Sequence, residues 1–169
     1  MSERNTERIS EVIKKCIKSQ LVTKPELKKL INNVSVTEYD TTPDLPKVVI
    51  VTIDLEILRV LRTNYKEFLK SMKLIYPSKV IITKRPGNIP AKKHNNVVYA
   101  REDFVNDLVF PLIVQSKTQE IFARDEVKKF VYYQGGRVPF NQKEISALEN
   151  VLKQVMCDDY SIRSMPSSH

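Results

Sequence analysis

Apolar side chains recur along this chain with two periods, and the switches between those periods mark out its elements. Ile9, Val12, Ile13, Cys16 and Ile17 share one face of a predicted helix over Thr6–Ser19, with Thr6 placed to cap it and Lys14, Lys15 and Lys18 elsewhere on the wheel. Pro25 in a first-turn position, followed by Leu27, Leu30 and Ile31, predicts a second short helix over Lys24–Asn32. Val34–Tyr39 alternates weakly, Thr41–Pro46 is turn chemistry, and Lys47–Ile53 is a β-branched run of the kind buried on both faces of a sheet. Asp54 is placed to cap a long helix over Leu55–Tyr76, where Leu58, Leu61, Tyr65, Phe68, Leu69, Met72 and Ile75 form one stripe. Arg59, Arg62, Lys66, Lys70 and Lys73 form a second stripe about 110° away. Pro77 ends that helix and Val80–Thr83 follows as a short strand. Strand, helix and strand in this order predict a parallel pair with a right-handed crossover.

Pro86, Gly87, Asn88 and Pro90 make residues 85–96 a loop or extended arm. Val97–Tyr99 reads as a strand fragment, and Glu102–Val109 as a short helix closed by Pro111. Ile113–Phe122 and Val127–Tyr133 flank Arg124, Asp125 and Glu126 and predict a long antiparallel hairpin, ended by Gly135 and Gly136. Asn141–Met156 is helical, with Ile145, Leu148, Leu152 and Val155 on one side and Asn141 paired with Glu144 as a capping box. Tyr160–Arg163 is a last strand. The expected fold is α/β, a mixed β-sheet with flanking helices. It divides into an N-terminal helical segment (1–33), an α/β domain (34–163) carrying the basic loop 85–96, and a flexible tail (164–169).

Composition adds that this is an ordinary globular chain, 41% hydrophobic and 28% charged. Cys16 and Cys157 stand in no Cys-x-x-Cys or Cys/His cluster, which suits reduced thiols in an intracellular protein. The run Val48–Ile53 is far too short to span a bilayer, so a soluble protein is expected, without a membrane partner. Charge changes the picture more. The chain carries a formal +8, and from Ser78 to Arg101 it runs for 24 residues without an acid while holding Lys79, Lys84, Arg85, Lys92, Lys93 and Arg101. A positive potential of this kind is suited to a phosphodiester backbone, where each docked cation releases counterions.

Candidate chemistry is sparse. His94 lies in the basic loop and His169 is the last residue; there is no nucleophile elbow, zinc-protease helix or phosphate-binding glycine loop. The neighbouring carboxylates Asp158 and Asp159, or Glu102 and Asp103, are better explained as solvated or capping groups than as an acid–base pair. No enzyme, cofactor, metal site or small-molecule substrate is expected. The aromatic residues Phe130, Tyr132 and Tyr133 alternate across a strand, so core packing accounts for at least one face of it. Phosphate contacts on folded RNA are favoured over base readout.

At Asp107-Leu-Val-Phe-Pro111, followed by Ile113, Val114 and the long hairpin, the chain resembles the eukaryote-specific small-subunit ribosomal protein seven family, which is unrelated to the bacterial protein of that number. Val48–Ile53 leading into the long helix, and Lys79–Arg85 followed by Ile89 and Pro90, fit the same family in the same order, over about Val34 to Val155. The resemblance implies a non-catalytic protein of the small subunit that binds small-subunit ribosomal RNA, sits beside other small-subunit proteins, and supports subunit assembly and RNA maturation. It further implies a cytoplasmic ribosomal location with a nucleolar or nuclear assembly stage. Two departures stand out: the Lys/Arg arm after the Lys79–Arg85 strand is reduced to Pro86–Asn96, and Arg163 with a Ser-rich end replaces an acidic, aromatic finish. Carried over by position, Lys84, Arg85, Lys92, Lys93 and Arg101 are the expected RNA-phosphate residues, with Arg59, Arg62, Lys66 and Lys70 next. A transient ribosome-assembly factor and a basic protein-interaction module remain open beside the ribosomal reading.

Overall fold

The computed structural model describes residues 2–89, 98–135 and 139–165. Its contacts fall into two compact units. Unit 1 comprises Met1–Tyr39 with Val49–Asn88, and unit 2 comprises Asp40–Val48 with Ile89–His169. The class is α/β as expected, with the mixed strand pairing distributed over two three-stranded sheets against which the helices pack.

Unit 1 contains α1 (Ser2–Cys16), α2 (Lys18–Thr23), α3 (Leu27–Ile31), β1 (Ser35–Tyr39), β2 (Val48–Thr52), α4 (Leu55–Leu61), α5 (Tyr65–Ile75) and β3 (Val80–Lys84). The sheet order is β1-β2-β3. In β2, Val48 to Val51 are all buried, which is why that run lacks a polar alternation. The Ile53 N–H donates to the Lys84 carbonyl at 3.0 Å, setting the C-terminal ends of β2 and β3 side by side as a parallel pair requires. Ile9, Ile13, Ile17, Ile57, Leu58, Leu61, Phe68 and Met72 are each fully buried, and α1 packs on α5.

The single long helix expected over Leu55–Tyr76 is two helices. A 3-10 turn at Arg62–Asn64 separates α4 from α5, with Asn64 outside the helical region at φ −131°, ψ 40°. Side chains that compete with the helical ladder account for the break. Thr63 Oγ1 donates to the Val60 carbonyl at 2.6 Å, and Asn64 Nδ2 donates to the Cys16 carbonyl at the end of α1 at 3.2 Å. Asp54 caps α4 through the Glu56 N–H, as its position promised.

Unit 2 contains α6 (Val98–Val109), β4 (Val114–Ile121), β5 (Val127–Tyr133), α7 (Gln142–Met156) and β6 (Asp159–Ser164). The strand fragment expected at Val97–Tyr99 is instead the first turn of α6 from Val98 onward; Val97 lies outside the described residues. The hairpin is present, β4 and β5 pairing antiparallel from Val114–Tyr133 to Ile121–Val127, and its turn holds Arg124 at φ 68°. β6 adds on the other side of β5 in parallel, with Val131 opposite Ile162. α7 begins on the expected capping box. The Asn141 side chain accepts from Glu144 N–H at 2.9 Å, and the Glu144 carboxylate accepts from Asn141 N–H at 3.1 Å. Its buried face, with Ile145, Leu148, Val151 and Leu152, packs on β6, and Glu149 accepts from the Ile162 N–H at 2.9 Å. No helix among the described residues is long and apolar enough to cross a membrane.

Candidate nucleic-acid interface

The residues expected to hold phosphate meet different fates in the fold. Lys92 and Lys93, with most of the loop that carries them, lie outside the described residues. Lys84, the last residue of β3, turns its ammonium back on its own chain and donates to the carbonyls of Arg85 at 3.0 Å and Gly87 at 3.3 Å. It braces the turn beyond the strand. Gly87 supplies the positive φ (104°) that the turn needs. Arg85 is half-buried beside it.

Arg101 is held inside unit 2. Its guanidinium donates to the Met156 carbonyl at 2.7 Å and to Asp158 at 3.3 Å, and the two charged side chains are only 11% and 9% exposed. Lys129 reaches the same Asp158 oxygen at 2.9 Å. The three groups form a clamp joining the start of α6, the end of α7 and the middle of β5. Tyr160 lies next to it, its phenol pushed up to about 12 by burial and by the adjacent Asp158 charge. The acid-free stretch is therefore not free of acids in space: Lys79 pairs with Glu38 on β1, and Arg101 pairs with Asp158. Both carboxylates come from sequence positions well outside Ser78–Arg101.

The second group of expected residues is more open. Arg59 in the last turn of α4 and Lys66 and Lys70 on α5 are exposed, whereas Arg62, in the 3-10 turn, is half-buried. The break between α4 and α5 separates the predicted five-residue stripe into Arg59 on one helix and Lys66, Lys70 and Lys73 on the next. Those three lysines remain exposed along one face of α5, spaced so that all three can follow a backbone of phosphates.

Positions missed in the sequence sit on the same unit. Lys14 and Lys15 close α1, and Lys28 and Lys29 close α3, where cations are favoured by the carbonyl end of a helix. Unit 1 as a whole holds sixteen Lys and Arg against eight Asp and Glu, and unit 2 twelve against twelve. The entire +8 of the chain thus belongs to unit 1. A count made along the chain could not find this, because the acid-free stretch straddles the boundary between the units.

The Asp107–Pro111 motif lies at the end of α6 in the neutral unit. Asp107, Leu108 and Val109 are buried, so the motif is a packing element. On β5, the expected division of aromatics also holds: Phe130 is buried beneath the Arg163 guanidinium, 4.8 Å from its ring centre, and stacks on Tyr132 at 6.3 Å. Val131 and Tyr133 are buried on the opposite side. Neither arrangement leaves Phe130 open for a base. No family model matches this chain, and no curated protein matches its sequence.

Proposed function

We propose that the chain is a non-catalytic structural constituent of the small ribosomal subunit that binds small-subunit ribosomal RNA and supports subunit assembly and RNA maturation. The observation that carries the RNA-binding part is the confinement of the whole charge excess to unit 1, with Arg59, Lys66, Lys70 and Lys73 exposed there. The ribosomal part rests on the resemblance of three stretches, Val48–Ile53, Lys79–Arg85 and Asp107–Pro111, in their order. Neighbouring small-subunit proteins are the further partners of this reading, and the cytoplasmic ribosome, reached through a nucleolar or nuclear assembly stage, is its location.

Co-sedimentation tests it. The tagged chain is expected to stay with mature small subunits through a high-salt wash and to be released by ribonuclease. Recovery on precursor particles alone would make it a transient assembly factor. Complexes that survive ribonuclease and carry no ribosomal RNA would make it a basic protein-interaction module instead.

A further inference from the structure

Unit 1 has a surface groove of about 1110 Å³, lined by α1, α2, α3 and the last turns of α5. Its apolar side chains are Val12, Leu21, Leu74 and Ile75, and Leu74 stands 81% exposed. Around them are five cations, Arg8, Lys14, Lys15, Lys18 and Lys28. Glu11 is the one carboxylate among the described lining residues, and it is already bridged to Lys14 at 3.2 Å. On α5, Leu74, Ser71 and Ile75 lie on the flank between the exposed Lys66, Lys70 and Lys73 and the buried Phe68 and Met72. The groove is therefore a neighbour of the exposed lysine face and differs from it in having an apolar floor.

That floor decides between occupants. A phosphate backbone would use the cations and leave Leu74 in water, and a stacked base would want an aromatic platform, which none of the lining residues provides. A bilayer is flat and would not follow a concave surface. An α-helix with apolar residues at i, i+3, i+4 and i+7 and carboxylates on its flanks satisfies both features at once, filling the floor and meeting the rim. We propose that this groove docks an acidic, amphipathic helical segment of a protein partner, with Leu74 as the apolar contact and Lys15, Lys18 and Lys28 as charge partners.

The full chain is titrated by fluorescence anisotropy with a labelled synthetic helix carrying Leu at i, i+3, i+4 and i+7 and Glu at most other positions. A scrambled peptide of the same composition, an RNA stem-loop and anionic vesicles serve as further arms. The amphipathic peptide is expected to bind about tenfold more tightly than the scrambled one, and Leu74→Ser to weaken it by about tenfold while leaving RNA affinity unchanged. Because Leu74 is so exposed, the variant should keep the melting temperature of the parent chain. Lys15→Glu with Lys18→Glu should weaken the peptide further and flatten its salt dependence. Equal binding of the scrambled peptide, or no effect of Leu74→Ser, overturns the proposal. So does a Leu74→Ser loss that appears on RNA or on vesicles in place of the peptide. The RNA arm reads the proposed ribosomal function separately, so one can fail while the other stands.

Discussion

Unit 1 and unit 2 are built from similar parts, a three-stranded mixed sheet with helices packed on it, and they use their charges in different ways. In unit 2, where cations and carboxylates balance, charge is drawn inward: Arg101, Lys129 and Asp158 tie three elements together, and Arg163 covers Phe130. In unit 1, sixteen cations face eight acids, so even full pairing would leave a charge excess of eight within the unit. Arg59, the α5 lysines Lys66, Lys70 and Lys73, and the helix-end lysines Lys15, Lys28 and Lys29 stay exposed on its surface. The lesson is that a cation's role depends on whether the fold supplies an acid, and sequence distance to the nearest acid is a poor guide to that supply.

The largest expected effect would break this comparison outright. Reversing Arg59, Lys66 and Lys70 to Glu together should lower the log–log salt slope of RNA binding by at least about 2, as each lost phosphate contact removes about 0.7 to 0.9. The matched reversal of exposed Lys47, Lys143 and Lys153 in unit 2 should leave the slope where it was. Equal losses from both sets would mean that the charge segregation has no bearing on RNA. A smaller effect sharpens the account of unit 2. Asp158→Ala removes the acid shared by Arg101 and Lys129 and should cost about 3 kcal/mol in urea unfolding, because a poorly solvated guanidinium is left without its carboxylate. A cost below about 1 kcal/mol, the range of exposed pairs, would return Arg101 to the candidates for phosphate.

The smallest effect is a pH dependence beside the same clamp. Tyr160 keeps its proton to about 12 in the folded chain, whereas an unfolded tyrosine releases it near about 10. Above that lower value the unfolded state binds fewer protons than the folded one, so stability falls with rising pH. The contribution is whole below about 10 and is lost progressively toward 12. Urea midpoints measured against Tyr160→Phe should keep a constant difference up to about pH 9 and then shift against the parent chain. A difference that stays flat through pH 11 would show that burial does not hold the phenol protonated.

Much of the fold was legible because local signals were strong where they occurred. The capping box at Asn141 and Glu144, the continuous β-branched run before Ile53 and the paired runs around Arg124 each specify an element through contacts within a few residues. The break at Arg62–Asn64 was less legible, since the apolar stripe continues through it and only the bond from Asn64 to Cys16, 48 positions earlier, shows what the turn is for. The same limit applied to the candidate site. Lys84 looked free because no acid stands near it in the chain, and Arg101 because it closes the acid-free stretch, yet one reaches loop carbonyls and the other a carboxylate 57 positions on.

By itself, then, the order of residues determined the α/β class, most helix and strand positions, and the net positive charge, all of which follow from periodicity and composition. Tertiary structure alone decided which cations are neutralised, that the excess belongs to one unit, and that Leu74 lies exposed among lysines from other helices. The physical reason is range: hydrogen-bonded turns and apolar stripes are settled between near neighbours, whereas electrostatic pairing and surface grooves depend on groups that folding brings together from far apart in the chain.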